Sequence, residues 1–347
     1  MTTPIKTAIV GFGYSAKVFH IPFIQSLDAF EFSAISSRQH EEITNLYPSV
    51  QCFDSAEEML KNSDAALVII TAPNNAHYPL AKLALENGKH VIIEKPFVTN
   101  SVQGQQLIEV ANQHQQLLSV YHNRRWDSDF LTIKKLLAEG QLGELKWFES
   151  HMDRYRPNVR QRWREDASVE GSGILFDLGP HMIDQVVQLF GVPEKLTAQC
   201  LSMRDPSNPD DFFNIIFHYP DLLVHLHSNP YSPGSDNMRY KLLGTQAKFV
   251  KNGVDPQEDK LKSGSGYLQP GWTIDDQSQW GTLTREDSTQ IIQPVEGGYE
   301  NYYQGVADAI NQGIPLPVTA EESLRVIQLI ELVRESSRLN QTIEVKL

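Results

Sequence analysis

Three shortages in this chain exclude whole classes of protein. Its two cysteines, Cys52 and Cys200, lie far apart and outside any Cys-x-x-Cys pattern, so neither a disulfide framework nor a zinc site is indicated, and we expect no bound metal. The longest wholly apolar run, Ala65–Ile70, is too short to span a bilayer, and the N-terminus lacks a basic region followed by a long apolar stretch. Basic residues are also few, since 30 Lys and Arg stand against 43 Asp and Glu, a net charge of −13. This charge argues against nucleic acid or a membrane surface as a partner, and we expect a cytoplasmic protein.

At 347 residues the chain is long enough for two domains with cores of their own. In its first third, short apolar runs alternate with segments of helical length. This alternation predicts a parallel sheet with helical crossovers, an α/β domain that we assign to residues 1–121. The apolar runs are Ala8–Val10, Phe30–Ile35, Ala65–Ile70, Val91–Ile93 and Leu117–Val120, and the helical segments are Glu41–Leu46, Ala56–Lys61, Tyr78–Asn87 and Val102–Gln113.

Beyond residue 121 the pattern changes to helices followed by strands, which predicts an α+β domain over 122–347 built on an antiparallel sheet. A stretch rich in Gly, Pro, Asp and Ser at 255–280 predicts a long loop or excursion. A last helix is predicted from Thr319, where Glu322 completes a capping box. The other helical patterns are Ser128–Glu139 and Ile174–Phe190, and the strand-like runs are Leu196–Met203, Phe212–Tyr219, Leu222–His227 and Met238–Leu243.

The most informative segment is a glycine-rich turn directly after the first apolar run. Gly11, Gly13 and Ala16 form a Gly-x-Gly-x-x-Ala pattern between a strand and a helix-like stretch. Gly11 permits the tight turn, Gly13 lets the backbone approach a pyrophosphate, and Ala16 lets helix and strand pack closely. The helix N-terminus adds free N–H groups for the phosphates. The pattern therefore predicts a dinucleotide site, although an ordinary strand-to-helix turn is the alternative.

The choice of nucleotide depends on the end of the second strand. NAD-binding domains place an acid there to accept from the ribose hydroxyls. In this chain Ile35 is followed by Ser36, Ser37 and Arg38, and the first acid is Glu41. Ser37 and Arg38 can bind a 2′-phosphate, so the sequence favours NADP(H), with NAD(H) possible. The alternative is that Arg38 is a solvated loop residue.

Lys95 follows the run Val91–Ile93, within Glu94-Lys95-Pro96. Ligands of such sheets bind at the carboxyl ends of the strands, so Lys95 is expected in the crevice beside the nicotinamide. There it can donate to a substrate oxygen and take part in proton transfer. A surface lysine is the alternative reading of the position.

Polar residues form one stripe on the otherwise apolar helix predicted at Ile174–Phe190. Asp177, His181, Asp184 and Gln188 recur at helical spacing, and the stripe contains neither Lys nor Glu. Asp177 can orient the imidazole of His181 and stabilise its protonated form. The pair predicts a catalytic histidine, the alternative being a buried structural one. A proline within this segment predicts that the helix starts late or kinks.

Together these motifs resemble the Gfo/Idh/MocA family of nicotinamide-dependent sugar and polyol oxidoreductases, over nearly the whole chain. Longer strings resemble one branch, the NADP-dependent scyllo-inositol dehydrogenases. These strings are Phe19-His20, residues 121–127 (Tyr-His-Asn-Arg-Arg-Trp-Asp), residues 162–165 (Arg-Trp-Arg-Glu) and residues 253–259 (Gly-Val-Asp-Pro-Gln-Glu-Asp). The resemblance implies an N-terminal Rossmann domain and a C-terminal α+β domain. The large, mainly antiparallel open sheet of that second domain is expected to form a homodimer or homotetramer.

The resemblance also implies a catalytic set, which maps onto Lys95, Asp177 and His181. His181 is expected to exchange the hydroxyl proton while Lys95 holds the substrate oxygen and stabilises the charge that develops on it. The predicted cofactor-binding residues are Gly11, Gly13, Tyr14, Ser15, Ala16, Ser37, Arg38, Thr71, Pro73, Asn74, His77, Glu94, Lys95 and Asn123. The predicted substrate-binding residues are Lys95, Arg124, Tyr155, Arg156, Trp163, Arg164, Asp177 and His181.

Three functions stay open on the sequence. The first is hydride transfer between NADP(H) and a cyclic polyol such as scyllo-inositol. The second is reduction of a ketosugar or oxidation of another sugar. The third belongs to another class, a nucleotide-binding sensor without chemistry, and the retained Lys95, Asp177 and His181 argue against it because a sensor needs no proton relay.

Overall fold

The computed structural model describes residues 3–206, 208–234, 236–264 and 267–347. The chain divides into two compact units. The first extends to His122 and includes Tyr299–Ile327, and the second comprises Asn123–Gly298 and Gln328–Leu347. Unit 1 thus takes in a helix that lies beyond the boundary expected after residue 121. That sequence boundary stays a prediction.

The strands of the described residues form two sheets. They are β1 (Ile5–Val10), β2 (Phe30–Ser36), β3 (Gln51–Phe53), β4 (Leu67–Ile70), β5 (His90–Ile93), β6 (Leu118–Val120), β7 (Leu145–His151), β8 (Lys195–Leu201), β9 (Phe212–His218), β10 (Leu223–Ser228), β11 (Met238–Gly244), β12 (Lys248–Asn252), β13 (Gly281–Thr284), β14 (Thr289–Ile292) and β15 (Ile343–Glu344). The helices are α1 (Ile21–Ser26), α2 (His40–Leu46), α3 (Ala56–Asn62), α4 (His77–Glu86), α5 (Ser101–Gln113), α6 (Ser128–Ala138), α7 (Ile174–Phe190), α8 (Gln257–Ser263), α9 (Glu300–Gln312) and α10 (Ala320–Leu339).

Unit 1 carries a parallel sheet in the order β3-β2-β1-β4-β5-β6. Its central strand β4 is apolar and buried along its whole length, because helices cover both faces of such sheets. The apolar runs predicted as strands in the first third are confirmed. The sequence pattern missed β3, which has only three residues, one of them the polar Gln51. Strands β1 to β3 are added toward one edge of the sheet and strands β4 to β6 toward the other, so the switch point lies between β1 and β4. Ligands of doubly wound sheets bind beside such a switch point.

Unit 2 carries a mixed sheet in the order β14-β13-β12-β11-β7-β10-β9-β8-β15. Neighbouring strands are antiparallel except β7 and β10, which run parallel, so the predicted mainly antiparallel sheet is confirmed. Helix α7 packs against β9 and β10 on one face. The alternation in β10 follows from this packing, since Val224 and Leu226 are buried while His225 and His227 are half-exposed on the other face.

Helix α7 has the predicted bounds Ile174–Phe190, so the late start expected from Pro180 is wrong, while the kink stays a prediction. Burial of 11 of the 17 residues outweighs the lost backbone hydrogen bond. The segment at 255–280 contains the short helix α8 in addition to loop, and residues 265 and 266 lie outside the described part. The capping box at α10 is confirmed by reciprocal hydrogen bonds of 3.0 and 3.2 Å between Thr319 and Glu322. Among the described residues no helix is both long and apolar enough to cross a membrane.

Candidate active site

The turn between β1 and the first helix is shaped by its glycines. Gly11 has a φ of +96°, and a Cβ at this position would lie 3.0 Å from Thr71 Oγ1. A Cβ on Gly13 would have open space around it, so the backbone there can be approached by a ligand. Ala16 is fully buried and Tyr14 is exposed. The turn therefore has the shape that a pyrophosphate requires.

A π-helical turn at Ala16–His20 connects the glycine turn to α1. Turns of this kind are frequent at functional sites. It directs the fully buried imidazole of His20 to Glu94, with 2.9 Å between Nε2 and Oε1. Ser15 Oγ donates to the same carboxylate oxygen, and Nδ1 of His20 contacts the hydroxyl of Tyr303. The hydroxyl of Ser15, predicted to bind cofactor, is thus engaged by Glu94.

Glu94 is a buried, ionised carboxylate directly after β5. Burial by itself raises its pKa, but hydrogen bonds from His20 and Ser15 and the charge of Lys95 outweigh burial and lower the pKa to about 2. Its Oε2 also accepts from the backbone N–H of Lys95 at 3.0 Å. Glu94 therefore fixes the start of the segment that carries Lys95. Sequence reasoning gave no role to His20 or Tyr303, because 283 residues separate them and no local pattern links them.

The strand ends beside Glu94 carry the other predicted cofactor residues of this sheet. Lys95 is half-buried, Asn74 is buried and Pro73 is exposed. Thr71 Oγ1 donates to the carbonyl of Val10 at 2.9 Å. The ring of His77 is fully buried, with Nδ1 2.8 Å from Pro96 O and Nε2 2.9 Å from Ala72 O. His77 therefore lies against carbonyl groups of the segments that follow β4 and β5, and its predicted role in cofactor binding stays a prediction.

The end of β2 presents a hydroxyl and a cation. Ser37 is half-buried and Arg38 is exposed, and within the described residues Arg38 has no ion pair. Two acids that follow in the sequence have basic groups beside them. Glu42 Oε1 lies 2.6 Å from Lys17 Nζ, and Asp54 Oδ1 lies 3.0 Å from His40 Nε2. Glu41, three residues after Arg38, is exposed. In this loop the exposed guanidinium of Arg38 is a donor that an incoming anion can contact.

Helix α7 of unit 2 carries Asp177 in its first turn and His181 one turn later. His181 is 6% exposed, and the side chain of Asp177 is 23% exposed. Two arginines flank that carboxylate, since Arg154 Nη1 lies 3.6 Å from Oδ2 and Arg164 Nε lies 3.8 Å from Oδ1. The orientation of His181 by Asp177 stays a prediction.

Asp184, a third member of the polar stripe, and its neighbour Gln185 hold α7 in place. Asp184 is buried and makes a bidentate ion pair with Arg125, at 2.8 Å to Nε and 2.7 Å to Nη2. Gln185 Nε2 donates to the carbonyl of Arg124 at 2.8 Å. These bonds attach α7 to the 3₁₀ turn Asn123–Trp126, which contains the buried Asn123. Sequence spacing alone did not separate Asp184 from the candidate catalytic pair.

Arg124, predicted to bind substrate, is buried among acids. Its Nη1 lies 3.2 Å from Asp127 Oδ2 and its Nη2 lies 2.6 Å from Glu258 Oε2. Burial raises the pKa of Glu258, but the charge of Arg124 and a hydrogen bond from Lys262 lower it to about 2. The guanidinium thus joins α8 to the turn after β6, and ion pairing occupies both of its terminal nitrogens.

The other predicted substrate residues lie on the segment between β7 and α7. Tyr155 is 61% exposed, and Arg164 is exposed with its guanidinium 4.5 Å from the ring centre of Trp163. Arg156 is half-buried, and burial together with the charges of Arg154 and neighbouring arginines lowers its pKa. The segment thus presents stacked and charged donors of the kind that hydroxyl-rich ligands need.

Comparison with known proteins identifies the family. Residues 5–122 match the model of an oxidoreductase family with an NAD-binding Rossmann fold, and residues 134–347 match its C-terminal alpha/beta domain. The chain belongs to the Gfo/Idh/MocA oxidoreductase family. This confirms the family and the fold class inferred from the motifs.

Relatives cover the full length of the chain. The uncharacterized oxidoreductase YdgJ of Escherichia coli (strain K12) is 40% identical over an alignment of 347 positions that covers 99% of each chain. The scyllo-inositol 2-dehydrogenase (NADP(+)) IolW of Bacillus subtilis (strain 168) is 38% identical over 98% of this chain and 95% of its own. A solved structure of the oxidoreductase YvaA from Bacillus subtilis superimposes with a TM-score of 0.94 at 38% identity, covering 99% of both chains.

Proposed function

We propose that this oxidoreductase transfers a hydride between NADP(H) and a cyclic polyol or its ketone, with an inositol and inosose pair as the first candidates. The observation that carries the proposal is Lys95, which follows β5 of a dinucleotide-binding sheet and has its backbone N–H fixed by the ionised Glu94. The same chain retains Asp177 and His181 on one face of α7. The name of the relative IolW supports the substrate class.

The residues present suit a nicotinamide dinucleotide. The positive φ of Gly11, the open space at Gly13 and the helix start after them provide backbone N–H groups for a pyrophosphate. The nicotinamide, when bound, accepts or donates the hydride. The chain supplies the remaining chemistry: Lys95 Nζ donates to the substrate oxygen, and His181 accepts the hydroxyl proton in oxidation and returns it in reduction. Asp177 stabilises the protonated imidazole.

The preference for NADP(H) rests on the loop after β2. Arg38 and Ser37 offer donors to a 2′-phosphate, and the nearby Glu42 and Asp54 are paired with Lys17 and His40. An acid placed to accept from the ribose 2′-hydroxyl is absent from the sequence Ser36-Ser37-Arg38. A charge-assisted bond to the phosphate contributes about 1.5–3 kcal/mol, or roughly tenfold to a hundredfold in affinity.

We assign recognition of the substrate hydroxyl groups to the segment between β7 and α7. Arg156 and Arg164 supply donors to hydroxyl oxygens, and Tyr155 and Trp163 supply an aromatic wall. Arg124 is the weaker member of the predicted set, because its two terminal nitrogens already bind Asp127 and Glu258.

The test is consumption of NADPH with a panel of inososes and ketosugars, and its reverse with NADP and the corresponding alcohols. Turnover with an inosose supports the proposal, and turnover with open-chain ketosugars alone favours the sugar dehydrogenase alternative. Tight binding of NADPH without turnover on any carbonyl substrate would point to the sensor. Light scattering of the same preparation tests the homodimer or homotetramer that we propose to form through the sheet of unit 2.

A further inference from the structure

A cluster of histidines and acids lies on the face of the second sheet that α7 does not cover. It is built by the parallel pairing of β7 with β10, which places His151 opposite His227 and Glu149 opposite His225. Asp153 follows β7 by two residues and joins the same group. A backbone hydrogen bond fixes the segment after β7 beside β10, since Met152 N donates to His227 O at 3.0 Å.

Three of these side chains converge with the spacing of metal ligands. Asp153 Oδ1 lies 2.9 Å from His227 Nδ1, and its Oδ2 lies 3.5 Å from His151 Nδ1. Zinc bonds of about 2.0–2.2 Å in a tetrahedral site put neighbouring ligand atoms about 3.4 Å apart, and one ligand atom from each of the three side chains lies within 4.8 Å of the other two. In the single chain these side chains are 12–20% exposed, so an ion can reach them before chains associate through this sheet.

Glu149 supports this arrangement without being a ligand itself. Its Oε1 already accepts from Trp147 Nε1 at 2.6 Å and Lys241 Nζ at 3.1 Å. Its Oε2 lies 3.0 Å from His151 Nε2. A hydrogen bond from Nε2 places the proton on that nitrogen and leaves Nδ1 of His151 as the electron-pair donor towards Asp153. Metal-binding histidines characteristically donate their second ring N–H to a carboxylate in this manner.

We propose that His151, Asp153 and His227 form a binding site for a divalent transition metal of the zinc type, with a remaining position for water. Two imidazole nitrogens and one carboxylate oxygen suit Zn²⁺, Ni²⁺ or Co²⁺ better than Mg²⁺ or Ca²⁺, which require oxygen ligands. Sequence analysis did not indicate this site, because 74 residues separate Asp153 from His227. The site is separate from the proposed hydride-transfer chemistry and does not depend on it.

The experiment is calorimetric titration of chelator-treated full-length protein with Zn²⁺. We expect one saturable ion per chain in the wild type. His227→Ala and Asp153→Asn should each weaken binding at least tenfold, and Glu149→Gln by about tenfold through its effect on His151. The matched control is His218→Ala on the same sheet, since His218 Nε2 bonds to Thr197 Oγ1 at 3.1 Å and lies outside the cluster. It should bind as the wild type does.

Two further measurements distinguish a loss of folding from a loss of the metal site. Circular dichroism of each variant checks that it is folded. If His227→Ala fails to fold, the Asp153→Asn variant still tests the proposal. Zn²⁺ should also raise the Tm of the wild type and of His218→Ala, and leave that of His227→Ala unchanged. Absence of saturable Zn²⁺, Ni²⁺ and Co²⁺ binding by the wild type, or equal affinity in His227→Ala, would overturn the proposal and leave the cluster as ordinary His–Asp pairing.

Discussion

Replacement of Glu94 by Gln tests the network that holds the end of β5. Gln keeps the shape of the side chain, but it carries no charge and turns an amide N–H₂ toward the donors of His20 and Ser15. In the wild type those donors, with the charge of Lys95, overcome the effect of burial and lower the pKa of Glu94 from 4.5 to about 2. The variant should therefore be less stable, and its Lys95 less firmly positioned.

The size of the effect follows from the pKa. The difference between 4.5 and about 2, at about 1.4 kcal/mol per pH unit, amounts to about 3 kcal/mol of folding stability at pH 7. Since the folded-state pKa is the lower one, this stability is fully present above pH 4.5 and is lost as the pH falls toward 2. The Gln variant should lack it at every pH.

The assay is urea unfolding at pH 7, combined with hydrogen exchange at the amides of β5, which reports on unit 1 alone. Glu86→Gln is the matched control, because its partner Lys82 is 3.8 Å away and both side chains are 43% exposed. Such a surface pair is expected to contribute less than about 0.5 kcal/mol. A Glu94→Gln variant that unfolds within about 1 kcal/mol of the wild type would refute the buried, ionised carboxylate.

Three further outcomes are expected. Ser37→Asp combined with Arg38→Leu should shift preference from NADP(H) toward NAD(H), mainly through KM for cofactor, and an unchanged kcat/KM ratio would place ribose recognition elsewhere. Alcohol oxidation by the wild type should accelerate as pH rises through the titration of a histidine, and His181→Ala should lose that rise; superimposable pH profiles would remove His181 as the base. Asp184→Asn should destabilise unit 2 by about 3 kcal/mol, because it leaves the buried Arg125 without its charge partner, and urea unfolding at pH 7 measures this directly.

Local patterns in the sequence predicted what depends on local structure. The glycine turn, the apolar strands of the first sheet and the bounds of α7 all follow from periodicity and turn chemistry. Strand β3 was missed because three residues with one polar member carry too little pattern. Pro180 was misjudged because its cost is local, whereas the packing that offsets it comes from the sheet beneath α7.

The sequence analysis also missed contacts between segments that lie far apart in the chain. His20 and Tyr303 meet because unit 1 includes α9, which follows residues 123–298 of unit 2 in the chain. His151 and His227 meet only because β7 pairs in parallel with β10. The ion pair of Arg124 with Glu258 joins segments 134 residues apart, and the substrate role of Arg124 stays a prediction.

The measurement that tests the central claim most directly is single-turnover oxidation of NADPH by the wild type and by Lys95→Met, with an inosose as acceptor. Met is close to Lys in length and can neither donate nor carry charge. The proposed mechanism predicts that the rate of the chemical step falls by about 10²–10³, as for loss of a transition-state donor, while the Kd for NADPH changes by no more than a few-fold. A Lys95→Met enzyme that retains the wild-type rate would contradict the proposed mechanism.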